Sequence, residues 1–324
     1  MINLAIVGLG KWGQELVKSV NFNSKIVRFT TVISRNPEKI KKKAKKNNLL
    51  IYQNLNDLFN NSKIDGFVLC TPHSLHEKQI KNLVKYKKPI FVEKPLALNS
   101  SSAKRIITIC KKNKILLAIG HNRRFLESYL YLRNQIHKNK IGKITHIEGC
   151  FSGKSSFTDN KKSWRNKISE TPLGGMTGKG IHITDLMINL NGKVHKVLAR
   201  SKKILKSSKL DDVTDLILEF NNGTMGYVST ILATTKYWEI KVFGSNGWIK
   251  IFNEKEVIQK IGKKKVQKIT FRYKNIEKKE LEEFANCIRL KRNFPVLLNE
   301  VMENTKLFEA SIKSKKLKSK FVKV

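Results

Sequence analysis

Two residues able to move a proton stand in distinctive settings. His182 lies in GGMTGKGIHITDL (174–186), and Asp185 follows three positions later. Lys94 lies in KPIFVEKP (88–95), an apolar run cut short by Pro95. Imidazole exchanges protons near neutral pH. Burial and a neighbouring positive charge would both lower the pKa of a lysine at the end of a buried strand, and such a lysine can shuttle a proton or steady a developing alkoxide. Glu93 is placed to orient Lys94. Pro95 withholds a backbone donor, so the strand ends or turns there.

The partner for such chemistry is written at the start of the chain. INLAIVG (2–8) reads as a buried strand, GLGKWG follows at once, and QELVKSV has helical apolar spacing. Gly8, Gly10 and Gly13 thus hold GxGxxG spacing between a strand and a helix, with Lys11 and Trp12 between them. In that context Gly8 permits a tight turn, Gly10 admits a pyrophosphate and Gly13 allows close helix–strand packing. The helix start offers free N–H groups to the phosphates. The second strand ends at Ser34-Arg35, where many dinucleotide folds carry a carboxylate. A hydroxyl beside a guanidinium accepts a 2′-phosphate, so NADP(H) is the expected cofactor, with NAD possible.

Positioning these groups requires a doubly wound sheet. IDGFVLCTP (64–72), KPIFVEKP and ILLAIGHN (115–122) read as strands. Helices read over 38–48, SLHEKQIKNLVKY and the serine-capped SSSAKRIITICKKN. Alternation of this kind predicts a parallel Rossmann sheet over 1–120, with ligands beyond the carboxyl ends of the strands. Thr71, Pro72, Glu93, Lys94 and His121-Asn122 fall at those ends. From residue 143 the pattern changes to successive strands with hairpin signals at FNNGT and FGSNGW, then two amphipathic helices. Residues 121–324 are therefore read as a second, α/β domain. GGMTGKGIHITDL follows no strand and lacks GK[ST], so it is no Walker loop. It reads as a helix entrance presenting His182, with glycines that let the chain approach a cofactor or substrate.

Composition narrows the class. The chain has 324 residues and a formal net charge of +40. Lysine, not arginine, supplies most of that charge, and it is scattered without interleaved aromatics, which argues against specific nucleic-acid binding. The four cysteines form no CxxC pair, so no metal site is expected and the thiols read as reduced. The start of the chain has no basic leader, and no apolar run reaches membrane-spanning length. A cytoplasmic location without membrane contact is expected.

GLGKWG, CTPHSLH, FVEKPLALN, GHNRRF and GGMTGKGIHITDL resemble, in order and spacing, the Gfo/Idh/MocA oxidoreductases, which include inositol dehydrogenase and glucose–fructose oxidoreductase. The resemblance covers nearly the whole chain. It implies a carboxyl-terminal domain with a large, mostly antiparallel sheet, assembly as a homodimer or homotetramer, and hydride transfer between NAD(P) and a carbohydrate-like alcohol. By resemblance Lys94 and His182 are catalytic. Candidate cofactor contacts are Gly8, Gly10, Lys11, Trp12, Gly13, Ser34, Arg35, Thr71, Pro72, His76, Glu93 and Lys94. Candidate substrate contacts are Lys94, Asn122, Arg123, Trp164, Arg165, His182 and Tyr237. The family usually has an aspartate four residues before the histidine, and Gly178 stands there. That departure supports a rival reading, a non-catalytic dinucleotide-binding regulator. Asp185 either serves His182 or ties the second domain together, and Arg123 and Arg124 either line the pocket or tie the two domains.

Overall fold

The computed structural model describes residues 1–61, 63–154, 163–205 and 210–324. It divides into two compact units. The first takes Met1–Ala97, Ser101–Asn122 and Lys274–Leu297; the second takes Leu98–Ser100, Arg123–Tyr273 and Leu298–Val324.

The first unit alternates β1 (Ile2–Val7), α1 (Lys11–Asn21), β2 (Val27–Ile33), α2 (Pro37–Lys46), β3 (Leu50–Tyr52), α3 (Leu55–Asn61), β4 (Gly66–Leu69), α4 (His76–Leu83), β5 (Ile90–Glu93), α5 (Ser100–Lys112) and β6 (Leu117–Gly120). Its six-stranded sheet runs β3-β2-β1-β4-β5-β6, and every pair is parallel. Strands β4, β5 and β6 are buried along their whole length, which is why they read as continuous apolar runs. The three-residue β3 and the polar helix α3 carry too little pattern to read from sequence. Helix α5 starts at Ser100, so its serines lie within the first turn, where Ser102 Oγ donates to Glu77.

The second unit contains α6 (Glu127–His137), β7 (Ile144–Ser152), α7 (Ile181–Asn191), β8 (Val194–Lys202), β9 (Val213–Phe220), β10 (Met225–Ile231), β11 (Tyr237–Gly244), β12 (Gly247–Phe252), β13 (Glu256–Ile261) and β14 (Gln267–Thr270). Helix α8 (Ile276–Leu290) returns to the first unit. Helix α9 (Leu298–Lys316) and β15 (Val322–Lys323) complete the second. The sheet order is β14-β13-β12-β11-β7-β10-β9-β8-β15. Among the described residues its pairs are antiparallel except β10 with β7.

One sheet face packs helices. A Cβ on Gly149 of β7 would stand 2.3 Å from Ile183 of α7, and Ala199 N of β8 donates to Ser314 Oγ of α9. Alternation turns His146, Glu148 and Cys150 of β7 to the other face.

Helix α8 groups with the first unit, whereas the expected boundary at residue 120 leaves both carboxyl-terminal helices in the second domain. Phe284 of α8 packs its ring 5.6 Å from Phe91 of β5, and Phe294 lies 6.2 Å from the same ring. Apolar spacing marks α8 as amphipathic, but not which sheet it covers.

Candidate active site

The glycine turn assigns a separate duty to each glycine. Gly8 has φ +99°, and a Cβ there would meet Cys70 O at 2.7 Å, so only glycine fits beside the end of β4. A Cβ on Gly13 would stand 2.3 Å from Gly8 O, which requires glycine for α1 to leave the strand this tightly. A Cβ on Gly10 would meet nothing within 4 Å. Space for a bound group therefore lies at Gly10, not at its two partners. Helix α1 begins at Lys11 with no side-chain cap and no acidic residue in its first turn, which leaves its N–H groups available to an anion. Lys11 is exposed and Trp12 half-buried. β1 and β4 are neighbours in the sheet order, the point where its direction reverses and where such folds hold a dinucleotide. The residues present fit that cofactor.

The neighbouring strand ends shape the same edge. Ser34 N donates to Tyr52 O, and Ser34 Oγ accepts from Asn36 N; Arg35 is exposed. Thr71 Oγ1 donates to Gln79. His76 is fully buried, its ring nitrogens 3.2 Å from Leu96 O and 3.3 Å from Thr71 O. It holds the chain after β4 to the chain after β5. Half-buried Lys94 follows β5 and is joined to Pro95 by a cis peptide bond. The buried Glu93 carboxylate lies 3.0 Å from where a Cβ on Gly120 of β6 would stand, so glycine makes its room. Asn122 is buried and donates to Glu277 of α8 at 2.8 Å, a tie inside the first unit.

In the second unit His182 occupies the first turn of α7, directly after a π-helical turn over Met176–Gly180. Such turns recur at functional sites. Three of the glycines here pack protein against protein. Gly174 has φ +52° with Asp211 O against it, Gly175 faces Thr230 and Leu232, and Gly180 faces Met176 and Thr230. At Gly178 a Cβ would meet nothing within 4 Å among the described residues.

His182 is 4% exposed, and its ring lies 6.0 Å from that of Phe151 at the end of β7. Phe151 gathers two cations as well. Arg123 Cζ lies 5.1 Å from the ring centroid and Lys179 Nζ 5.4 Å. Arg123 pairs with Glu254 at 2.9 Å, and Lys236 pairs with the same carboxylate at 3.4 Å. Lys179 donates to Gly153 O. Burial, then Arg123 and Lys236, pull its pKa down to about 8.

Arg124 is buried and grips both oxygens of Asp185, with Glu300 as a further partner. Arg123 pairs with Glu254 and Arg124 with Asp185 and Glu300, all within the second unit. Trp164 and Arg165 stack on each other, with Cζ 4.4 Å from the indole ring. Tyr237 donates to Glu239 at 2.5 Å. It pairs in register with Ser152, whereas its neighbour Trp238 pairs with Phe151. Alternation therefore turns Tyr237 to the sheet face opposite Phe151 and His182.

Of the residues the sequence singles out in this unit, the structure brings together Arg123 and His182, and adds Phe151, Lys179, Lys236 and Glu254. The i, i+3 spacing of Lys179 and His182 was the one available signal. Among the described residues no group of His, Cys, Asp and Glu could hold a metal, all four cysteines are free, and no helix is long and apolar enough to cross a membrane.

A parallel sheet in this strand order, with a glycine turn at its reversal point, defines a dinucleotide-binding protein. Residues 2–121 match the model described as "Oxidoreductase family, NAD-binding Rossmann fold", and residues 129–250 match the "GFO/IDH/MocA C-terminal domain". The chain belongs to the Gfo/Idh/MocA family of NAD-binding oxidoreductases.

Among its relatives is 2,7-anhydro-N-acetylneuraminate hydratase of Escherichia coli, 26% identical over 230 residues, 69% of this chain and 60% of that protein. Myo-inositol 2-dehydrogenase of Thermotoga maritima is 22% identical over 269 residues, 79% of this chain and 76% of that protein. The chain spans between about half and three fifths of the length of the first curated relatives it matches. Aldose-aldose oxidoreductase of Caulobacter crescentus shares the fold, with a TM-score of 0.89 at 19% identity, covering 100% of this chain and 99% of that one.

Proposed function

We propose that the protein is an NAD(P)-dependent dehydrogenase or reductase that interconverts a secondary alcohol and a ketone on a sugar, cyclitol or related polyol. The observation that carries this reading is the glycine cradle, with Gly8 and Gly13 closed by protein and Gly10 open. Inositol as the substrate named for one relative supports the polyol class. When bound, the dinucleotide supplies the hydride acceptor or donor at its nicotinamide ring. His182 takes the proton of the carbinol hydroxyl through a ring nitrogen, and returns it in the reverse direction. In the first unit, Lys94 at the end of β5 is the candidate group for steadying a developing alkoxide. Ser34 and Arg35 favour the 2′-phosphate of NADP(H). The open face of the second sheet exposes Ile217, Met225 and Tyr227, which supports self-association through that face.

The test is a screen of sugars, cyclitols and their keto forms with NADPH and NADH, read by nicotinamide absorbance. Turnover of one alcohol–ketone pair is expected. Dinucleotide binding with no turnover of any pair overturns the dehydrogenase reading in favour of the regulator, whose support is the missing side chain at Gly178.

A further inference from the structure

Beside His182, the described residues of the second unit gather three cations and one carboxylate. Lys179, Arg123 and Lys236 form the basic side, and Glu254 is already engaged by both Arg123 and Lys236. Lys179 has no carboxylate partner among the described residues, although it is half-buried. An ammonium carries three N–H groups. Gly153 O accepts one, and Phe151 offers its ring face to the charge.

The cluster is built and not incidental. Gly153 has φ +121°, and a Cβ there would stand 2.8 Å from Lys236 Cα. Glycine therefore lets the segment bearing Lys236 touch the end of β7, where Lys179 is anchored. At the adjoining Gly178 a Cβ would meet nothing within 4 Å among the described residues. Concentrating like charge at a part-buried point is unfavourable unless an anion relieves it.

We propose that the substrate of this enzyme is anionic, and that Lys179, flanked by Arg123 and Lys236, binds its acidic group while His182 addresses a hydroxyl nearby. The shared chemistry is an anionic oxygen group, carboxylate or phosphate, on a sugar-sized molecule. This inference rests on the dehydrogenase reading for the hydroxyl, but the anion site can be tested without turnover.

The experiment is isothermal calorimetry on the dinucleotide-saturated protein, with glucose, glucuronate and glucose 6-phosphate as probes, for wild type, Lys179→Met and Lys179→Arg. Dinucleotide affinity reports on folding in each variant. At least one anionic probe is expected to bind tenfold or more tighter than glucose, and comparison of the two identifies the group. Lys179→Met is expected to abolish the preference and Lys179→Arg to keep it. Equal binding of all three probes by wild type, or a preference that survives Lys179→Met, overturns the proposal. Intact anion binding with no turnover anywhere in the screen of sugars, cyclitols and their keto forms would instead count against the dehydrogenase reading alone.

Discussion

Arg124 holds Asp185 by two parallel hydrogen bonds, Nε to Oδ2 at 2.7 Å and Nη2 to Oδ1 at 2.6 Å, one turn along α7 from His182. Burial pulls the Arg124 pKa down, but the charges of Asp185 and then Glu300 reverse this, so the guanidinium stays charged. Removing Asp185 leaves a buried cation with Glu300 alone. Asp185→Leu is expected to cost about 3 kcal/mol, the lower end for breaking a buried pair. Urea denaturation checks this; an unchanged midpoint would show that Glu300 suffices.

The three turn glycines should separate by phenotype. Gly13→Ala drives a Cβ onto Gly8 O and is expected to cost about 1–3 kcal/mol of stability, as overpacking does. Gly10 has φ −70° and open space, so Gly10→Ala should melt like wild type but bind NADPH at least tenfold more weakly. Calorimetric melts paired with cofactor titrations decide the matter. Equal cofactor affinity in Gly10→Ala would mean that the phosphates lie elsewhere.

Lys94→Ala is expected to keep dinucleotide affinity and lose on the order of 10²–10⁴ in kcat, the range for general acid–base assistance. Fluorescence titration of NADPH and steady-state kinetics on the same preparation separate the two effects. Unchanged turnover removes Lys94 from the mechanism.

The first unit was legible because its signals are local. Gly8, Gly10 and Gly13 sit in one hexapeptide, and buried parallel strands such as Ile90–Glu93 announce themselves as apolar runs. The second unit hid its basic cluster because Arg123, Phe151, Lys179 and Lys236 are scattered over more than a hundred positions. No spacing rule joins them, and lysine is common enough here that one more attracts no notice. Tyr237 shows a different gap. Facing depends on register, and register was known only once Tyr237 was paired with Ser152.

Cofactor choice should follow the end of β2. Wild type is expected to bind NADPH more tightly than NADH, and Arg35→Asp to reverse the order by repelling the 2′-phosphate. Dissociation constants for both cofactors test this. Tenfold tighter NADH binding by wild type ends the idea.

Lys179 should leave a mark on stability against pH. Its pKa falls from the ordinary 10.5 to about 8 on folding, so between those values the unfolded chain binds the proton more readily. Its contribution is complete above 10.5 and is lost as pH falls through 8. The charged and titratable groups gathered with it are Arg123, Lys236, Glu254 and His182. Relative to Lys179→Met, wild type should therefore gain stability from pH 7 to pH 10. Urea midpoints of both proteins across that range check it, and parallel curves would refute a depressed lysine.

Phe91 finds its packing partner Phe284 nearly two hundred residues downstream. A ribosome that has emitted the first 270 residues has delivered every strand of the parallel sheet, yet the helix that covers Phe91 has still to emerge. The parallel sheet, translated ahead of α8, is thus sealed only after the strands of the second unit have been made. Until then, a patch of its core lies open to chaperones and proteases.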